Sequence, residues 1–131
     1  VIYSRPQKNG RKVFGELVEY GSIWRMGANE GTELEIFRDA KIGNVRVKKG
    51  RYSLFAIPLE SKWTIILNKD TDTWGAFKYD AKKDVVRLDV PVLRDGEETE
   101  ALGIFFVKSN NSINMVIGWD DELVKVPLSF F

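Results

Sequence analysis

The chain contains no cysteine and no histidine. No disulfide framework is possible, and zinc sites of the Cys/His type are excluded. Catalysis by a thiolate, or by a serine activated through histidine, is excluded as well. Acid–base chemistry would fall to aspartate, glutamate, lysine or tyrosine. The lack of cysteine leaves the compartment open, because a cysteine-free domain suits either redox environment. No apolar run approaches the roughly 20 residues of a membrane helix, so no membrane span is expected in this chain. Neither GxGxxG nor GxxxxGK[ST] occurs, so no nucleotide fingerprint is present and no cofactor is expected. An excess of one charge is also missing: 20 basic residues face 19 acidic ones. Such a balance gives no field that would select nucleic acid, which is not an expected partner. The first residue is Val1 rather than methionine, which gives the expectation of a trimmed or mature fragment whose targeting signal lies outside this chain.

What is present suits one domain over residues 1–131. A chain of this length buries about two-thirds of its unfolded surface, and 44% hydrophobic against 30% charged residues is enough for a core. From Glu33 onward the pattern is that of strands. Leu34 and Ile36 alternate with charged neighbours, as do Val45 and Val47. Tyr52 to Ile57 is apolar on both parities, as in a strand covered on both faces. Trp63, Ile65 and Leu67 share a face, then Val86, Leu88, Val90 and Val92, then Leu102, Ile104 and Phe106. Ile113, Met115, Ile117 and Trp119 lead to Asp120-Asp121, read as a tight hairpin turn before Val124, Val126 and Leu128. Val13 to Tyr20 is boxed in by Gly15 and Gly21 and predicts one short helical turn at most. The expected fold is all-β: a single antiparallel β-sandwich, jelly-roll-like or a partly open barrel, with an irregular N-terminal segment.

Tyr20 to Thr32 stands apart. It crowds Trp24, Arg25, Asn29 and Glu30 between glycines, where an ordinary strand would use β-branched residues. With Tyr3, Arg5, Arg11, Tyr20 and Thr32 these residues form a candidate ligand-binding constellation: Tyr3, Arg5, Arg11, Tyr20, Trp24, Arg25, Asn29 and Thr32. Guanidinium groups offer planar forks to oxyanions, and tryptophan or tyrosine offers a flat face to a sugar ring. The alternative is internal, with Arg5, Arg11 and Arg25 paired to Glu16, Glu19 or Glu30 to brace the N-terminal segment. A buried arginine without a partner would cost several kcal/mol, so partners must exist in protein or ligand.

A second group, Trp63, Trp74, Phe77 and Tyr79, could stack carbohydrate, but it reads better as an anchor for the long connection from Lys69 to Lys83. A hydrolase would need two carboxylates about 5–9 Å apart. Glu16, Glu19, Glu30, Asp70 and Asp72 are available, and no spacing pairs them, so catalytic residues stay unassigned. Asp70-Thr71-Asp72 opens like a calcium loop, yet Trp74 and Ala81 occupy two of its ligand positions, and no metal site is expected. Asn110-Asn111-Ser112 fits a glycosylation sequon and reads better as a turn.

Several runs together resemble one bacterial family, domain of unknown function 2911 of Bacteroidetes type. They include Tyr3-Ser4-Arg5-Pro6, Gly10 to Gly15, Leu17 to Asn29, Arg51 to Leu54, Ile57-Pro58, Asn68-Lys69, Trp74-Gly75 and Val126-Pro127, with Trp63, Tyr79, Asp84, Arg87 and Trp119 between. The match spans nearly the whole chain. The resemblance implies a β-sandwich-like domain with no established activity. It also implies export of the full-length protein to the periplasm or cell envelope, often as a lipoprotein, with some members continuing into a helical tail. Glu19 stands where proline is usual, Met26 where threonine is usual and Gly31 where alanine is usual.

The leading functional expectation is a non-catalytic binding module for a small anionic or sugar-like (carbohydrate) ligand. In that reading arginines hold an oxyanion, Trp24 and Tyr20 stack, and Asn29 orients. A structural or protein-interaction domain is the alternative, and a carboxylate-dependent hydrolase the third. Ligand identity and oligomeric state are not legible in the sequence.

Overall fold

A computed structural model of the protein describes residues 1, 5–26, 32–71, 79–94, 98–109 and 112–131. The strands are β1 (Thr32–Ile36), β2 (Ala40–Ile42), β3 (Val45–Val47), β4 (Gly50–Pro58), β5 (Lys62–Asn68), β6 (Asp84–Pro91), β7 (Thr99–Ser109), β8 (Ser112–Asp120) and β9 (Glu122–Phe130). The only helical element among the described residues is a 3-10 turn at Ala81–Lys83. Two antiparallel sheets pack face to face, ordered β1-β4-β5-β6 and β3-β2-β9-β8-β7. The sandwich expectation holds, and the sheets do not close into a barrel. No helix among the described residues is long and apolar enough to cross a membrane.

Parity sets what each strand buries, because successive side chains point to opposite faces. Trp63, Ile65 and Leu67 of β5 face Met115, Ile117, Val124 and Val126 of the other sheet in one core. Strand β4 buries both parities, as its composition predicts. Leu54 and Ala56 join the core, while Phe55 on the opposite face is covered by the Tyr79 ring at 5.3 Å. Tyr79 thus anchors the connection after β5, and Trp63 lies in the core. Trp74 and Phe77 lie outside the described residues.

The N-terminal segment joins the two sheets along their edges. Pro6 to Lys8 extends the five-stranded sheet: Leu102 N donates to the Pro6 carbonyl at 3.0 Å, and Lys8 N to that of Glu100 at 2.9 Å. Further on, Trp24 exchanges two backbone hydrogen bonds with Ala56 of β4, at 2.8 and 2.9 Å. Between these attachments the chain turns over Val13 to Val18 and drops Val13, Phe14 and Val18 into the core. Gly15 makes that turn possible. Its φ is +94°, and a Cβ there would stand 3.1 Å from the Tyr20 ring.

Three tryptophans meet where the segment crosses the sandwich. Trp24 lies 6.0 Å from Trp119 in a stacked pair and 5.6 Å from Trp63 edge-on, with Phe14 5.1 Å from Trp63. Each such pair adds roughly 0.5–1.5 kcal/mol beyond the area it buries. The cluster takes Phe14 and Trp24 from the N-terminal segment and one tryptophan from each sheet, so it ties the segment to both sheets.

Candidate functional site

A polar cavity lies beside this cluster, at the end of the sandwich where β8 turns into β9. Its volume is about 500 Å³. Four separate stretches build it: the Lys8–Lys12 loop with Tyr20, Glu60 of the β4–β5 turn, Arg94 and Glu98 of the β6–β7 connection, and Asp120 to Glu122.

The turn residues follow from strand parity. Asp120 occupies the turn with φ +55°, a left-handed conformation that aspartate tolerates better than most residues. Its carboxylate accepts from Lys8 Nζ at 3.1 Å and from Val13 N at 3.2 Å. Glu122 shares the inward parity of Val124, Val126 and Leu128 and is only 3% exposed. A carboxylate there must be satisfied internally. Trp63 Nε1 donates to it at 3.1 Å, Arg94 at 3.3 Å and the Tyr20 hydroxyl at 3.4 Å. Burial pushes the Glu122 carboxyl up from its ordinary range, against the pull of Trp63 and Arg94 toward the charged form. Burial also raises the Tyr20 phenol, with the Glu122 charge adding to it.

Most cations of the cavity are engaged. Lys8 also pairs with Glu98 at 2.6 Å, and hydrogen bonds to Glu98 and then Asp120 raise its pKa. Arg94 donates to the Glu60 carbonyl at 3.0 Å as well as to Glu122. Arg11 folds back on its own loop, donating to the Lys8 and Gln7 carbonyls at 2.8 and 2.9 Å. The Glu60 and Asp121 carboxylates and the Lys12 ammonium make no hydrogen bond or ion pair among the described residues. No group of three carboxylates among those residues is arranged to hold a metal ion.

The residues named from sequence are distributed between this cavity and the core. Arg11 and Tyr20 line the cavity. Arg5 is attached to β7, its Nε donating to the Leu102 carbonyl at 3.1 Å. Trp24 faces the core at 9% exposure, and Arg25 beside it is half-buried. The Thr32 side chain is fully buried and donates to the Met26 carbonyl at 2.6 Å. Tyr3 and Asn29 lie outside the described residues. Among the described residues Arg5 and Arg11 bond carbonyl oxygens rather than Glu16 or Glu19, both of which are exposed, and Glu30 lies outside those residues. The carboxylates that converge are those of Glu60, Glu98 and Asp120 to Glu122, none of which is among the candidate residues named from sequence.

One signal for them was present. An acidic run that fills a hairpin turn and continues onto an inward-facing strand position forces a carboxylate into the core, as Glu122 shows. Lys8, Arg94 and Glu98 carry no comparable signal, because each sits on a different connection and only the packing of the two sheets gathers them.

A family model described as "Protein of unknown function (DUF2911)" matches residues 1–128. No curated protein and no solved structure matches the chain. With nearly every residue covered, the chain belongs to the DUF2911 family.

Proposed function

We propose that the domain is a non-catalytic binding module for a small, hydroxyl-rich, sugar-like ligand, taken up in the polar cavity beside Tyr20. One observation carries this reading: the groups left over in the cavity are mostly hydrogen-bond acceptors. Among the described residues the Glu60 and Asp121 carboxylates make no hydrogen bond or ion pair, against one such cation, Lys12, whereas Lys8 and Arg94 are held by carboxylates and Arg11 by carbonyls. Free carboxylates accept from hydroxyl groups and repel an anion. Of the two ligand classes expected from sequence, the sugar-like one therefore fits better than the anionic one. Glu122 accepts from three donors and forms the floor of the site.

A thermal-shift and calorimetric screen of neutral monosaccharides against small carboxylic and phosphoric acids tests the reading. A ligand at one hundred times its Kd stabilises by about 2.7 kcal/mol, so even weak binding can be detected. Neutral sugars should stabilise the protein, and Asp121→Asn with Glu60→Gln should remove the effect without lowering the stability of the free domain. Stabilisation by acids alone, or by nothing in the panel, would overturn it.

A second reading has its own support. Trp24, Thr32 and Arg5 are all engaged within the protein, which favours a bracing role for that part of the signature. We further propose, on family membership alone, that the full-length protein is exported to the periplasm or cell envelope. Cell fractionation of the full-length protein tests this, and recovery in the cytoplasm would refute it.

A further inference from the structure

A second hollow lies around the corner of the same turn, on the outer face of the five-stranded sheet. Gly103 of β7 and Gly118 of β8 face each other in register, and Gly118 faces Leu123 of β9. Neither glycine has a left-handed φ. A Cβ on Gly103 would meet nothing closer than 4.0 Å, and one on Gly118 nothing closer than 3.7 Å, both ordinary contacts. The ladder shifts register between Thr99 and Gly103, but that shift does not require glycine where φ is ordinary. Backbone and packing alike would accept alanine, although glycine inside a strand weakens it.

The two missing side chains leave a depression of about 160 Å³. Phe105, which is 50% exposed, forms one wall and Leu123 the other, with Thr99 and Asp121 at the end nearest the turn. This volume falls below the roughly 300–1,000 Å³ of a site for a drug-sized ligand and suits a single ring. A bare backbone floor beside an exposed aromatic lets the apolar C–H face of a pyranose ring approach closely and pack. Asp120, Asp121 and Glu122 line both this hollow and the polar cavity, so the two lie on either side of one hairpin turn.

We propose that the hollow is a second sugar subsite and that the domain takes a saccharide of at least two rings. One ring hydrogen-bonds in the polar cavity, the next packs against Phe105 over the Gly103–Gly118 floor, and the shared turn from Asp120 to Glu122 lies between them. The inference rests on the sugar-binding reading above and adds the length of the ligand to it.

Calorimetry with matched pairs of probes tests it: glucose against cellobiose and maltose, and N-acetylglucosamine against its β-1,4-linked dimer. At least one disaccharide should bind about tenfold tighter than its monosaccharide, the worth of one stacking contact. Gly118→Ala, which fills the floor, and Phe105→Ala, which removes the wall, should each abolish that preference. Both should leave monosaccharide binding intact, and circular dichroism should report an unchanged fold. A disaccharide that binds no tighter than its monosaccharide, or a preference that survives in both variants, would overturn the subsite while leaving the sugar reading in place. Failure of every probe to bind the unaltered protein would remove the sugar reading and the subsite with it.

Discussion

Trp63 of β5 and Glu122 of β9 join the two sheets through a single hydrogen bond of 3.1 Å from indole nitrogen to buried carboxylate. The bond sits between the aromatic cluster and the polar cavity, so one carboxylate serves both core and site. Replacing it by alanine leaves the indole N–H without an acceptor inside the protein, at a cost of about 1–3 kcal/mol. Glu122→Gln keeps an acceptor oxygen of the same shape and should lose much less. Urea unfolding of the two variants checks this, and equal losses would show that the acceptor is not what matters.

The same carboxyl makes stability depend on pH in a definite direction. Its native pKa is raised by burial, so the folded state holds the proton more tightly than the unfolded state. The stability it contributes is fully present below the unfolded value, about 4.3 for glutamate, and is lost as pH rises through the native value. The unaltered protein should therefore lose stability relative to Glu122→Gln as pH is raised from about 4 to about 7. Asp89 acts the other way, its pKa lowered by the Thr64 hydrogen bond and then by Lys62. Both proteins carry Asp89, so it cancels from the comparison. Parallel pH profiles would refute the assignment to Glu122.

Trp24→Ala should be among the most damaging single changes. Removing the ring opens a cavity between Trp63, Trp119 and Phe14, and large aromatic-to-alanine changes in cores cost about 3–5 kcal/mol. That approaches the whole stability of a marginal domain, about 5–15 kcal/mol. Chemical denaturation measures the loss, and a change below about 1 kcal/mol would mean that the cluster is not a shared core.

Gly15→Ala tests how the turn positions Tyr20. The added methyl must crowd the Tyr20 ring and sit at φ +94°, so a loss above about 1 kcal/mol is expected. The Tyr20 hydroxyl should also be pulled from Glu122, which a change in the phenol's titration followed by ultraviolet absorbance would report. An unchanged titration would separate the turn from the site.

Asn68 ties down the connection after β5. Its side-chain amide nitrogen donates to the Asp80 carbonyl and to the Asp84 carboxylate, and its oxygen accepts from Asp70 N at 2.8 Å. Asn68→Ala should speed proteolytic cleavage between positions 69 and 83 well before the sandwich unfolds. Cleavage at the unaltered rate would show that other contacts hold this connection.

Strand patterns were legible because each depends on a few neighbouring residues. Val86, Leu88 and Val90 alternate visibly, and the Asp120-Asp121 hairpin shows between two apolar runs. Strand β2 is not legible in the sequence, since Ala40–Ile42 is too short for alternation to show and is held by its pairing with β3 and β9. Tyr20 and Arg11 could be named from their chemistry, but whether Trp24 faces a ligand or the core could not. That depends on which neighbours cover the ring, and they arrive from β5 and β8.

The sequence alone determined the chemistry available to this protein and the two-layered strand architecture, because side-chain inventory and period-two alternation are local properties of the chain. Only the tertiary structure decided which charges are already engaged. Lys8 meets Asp120, and Trp63 meets Glu122, across long stretches of chain, and a pairing of that kind exists only once the two sheets and the N-terminal segment have packed.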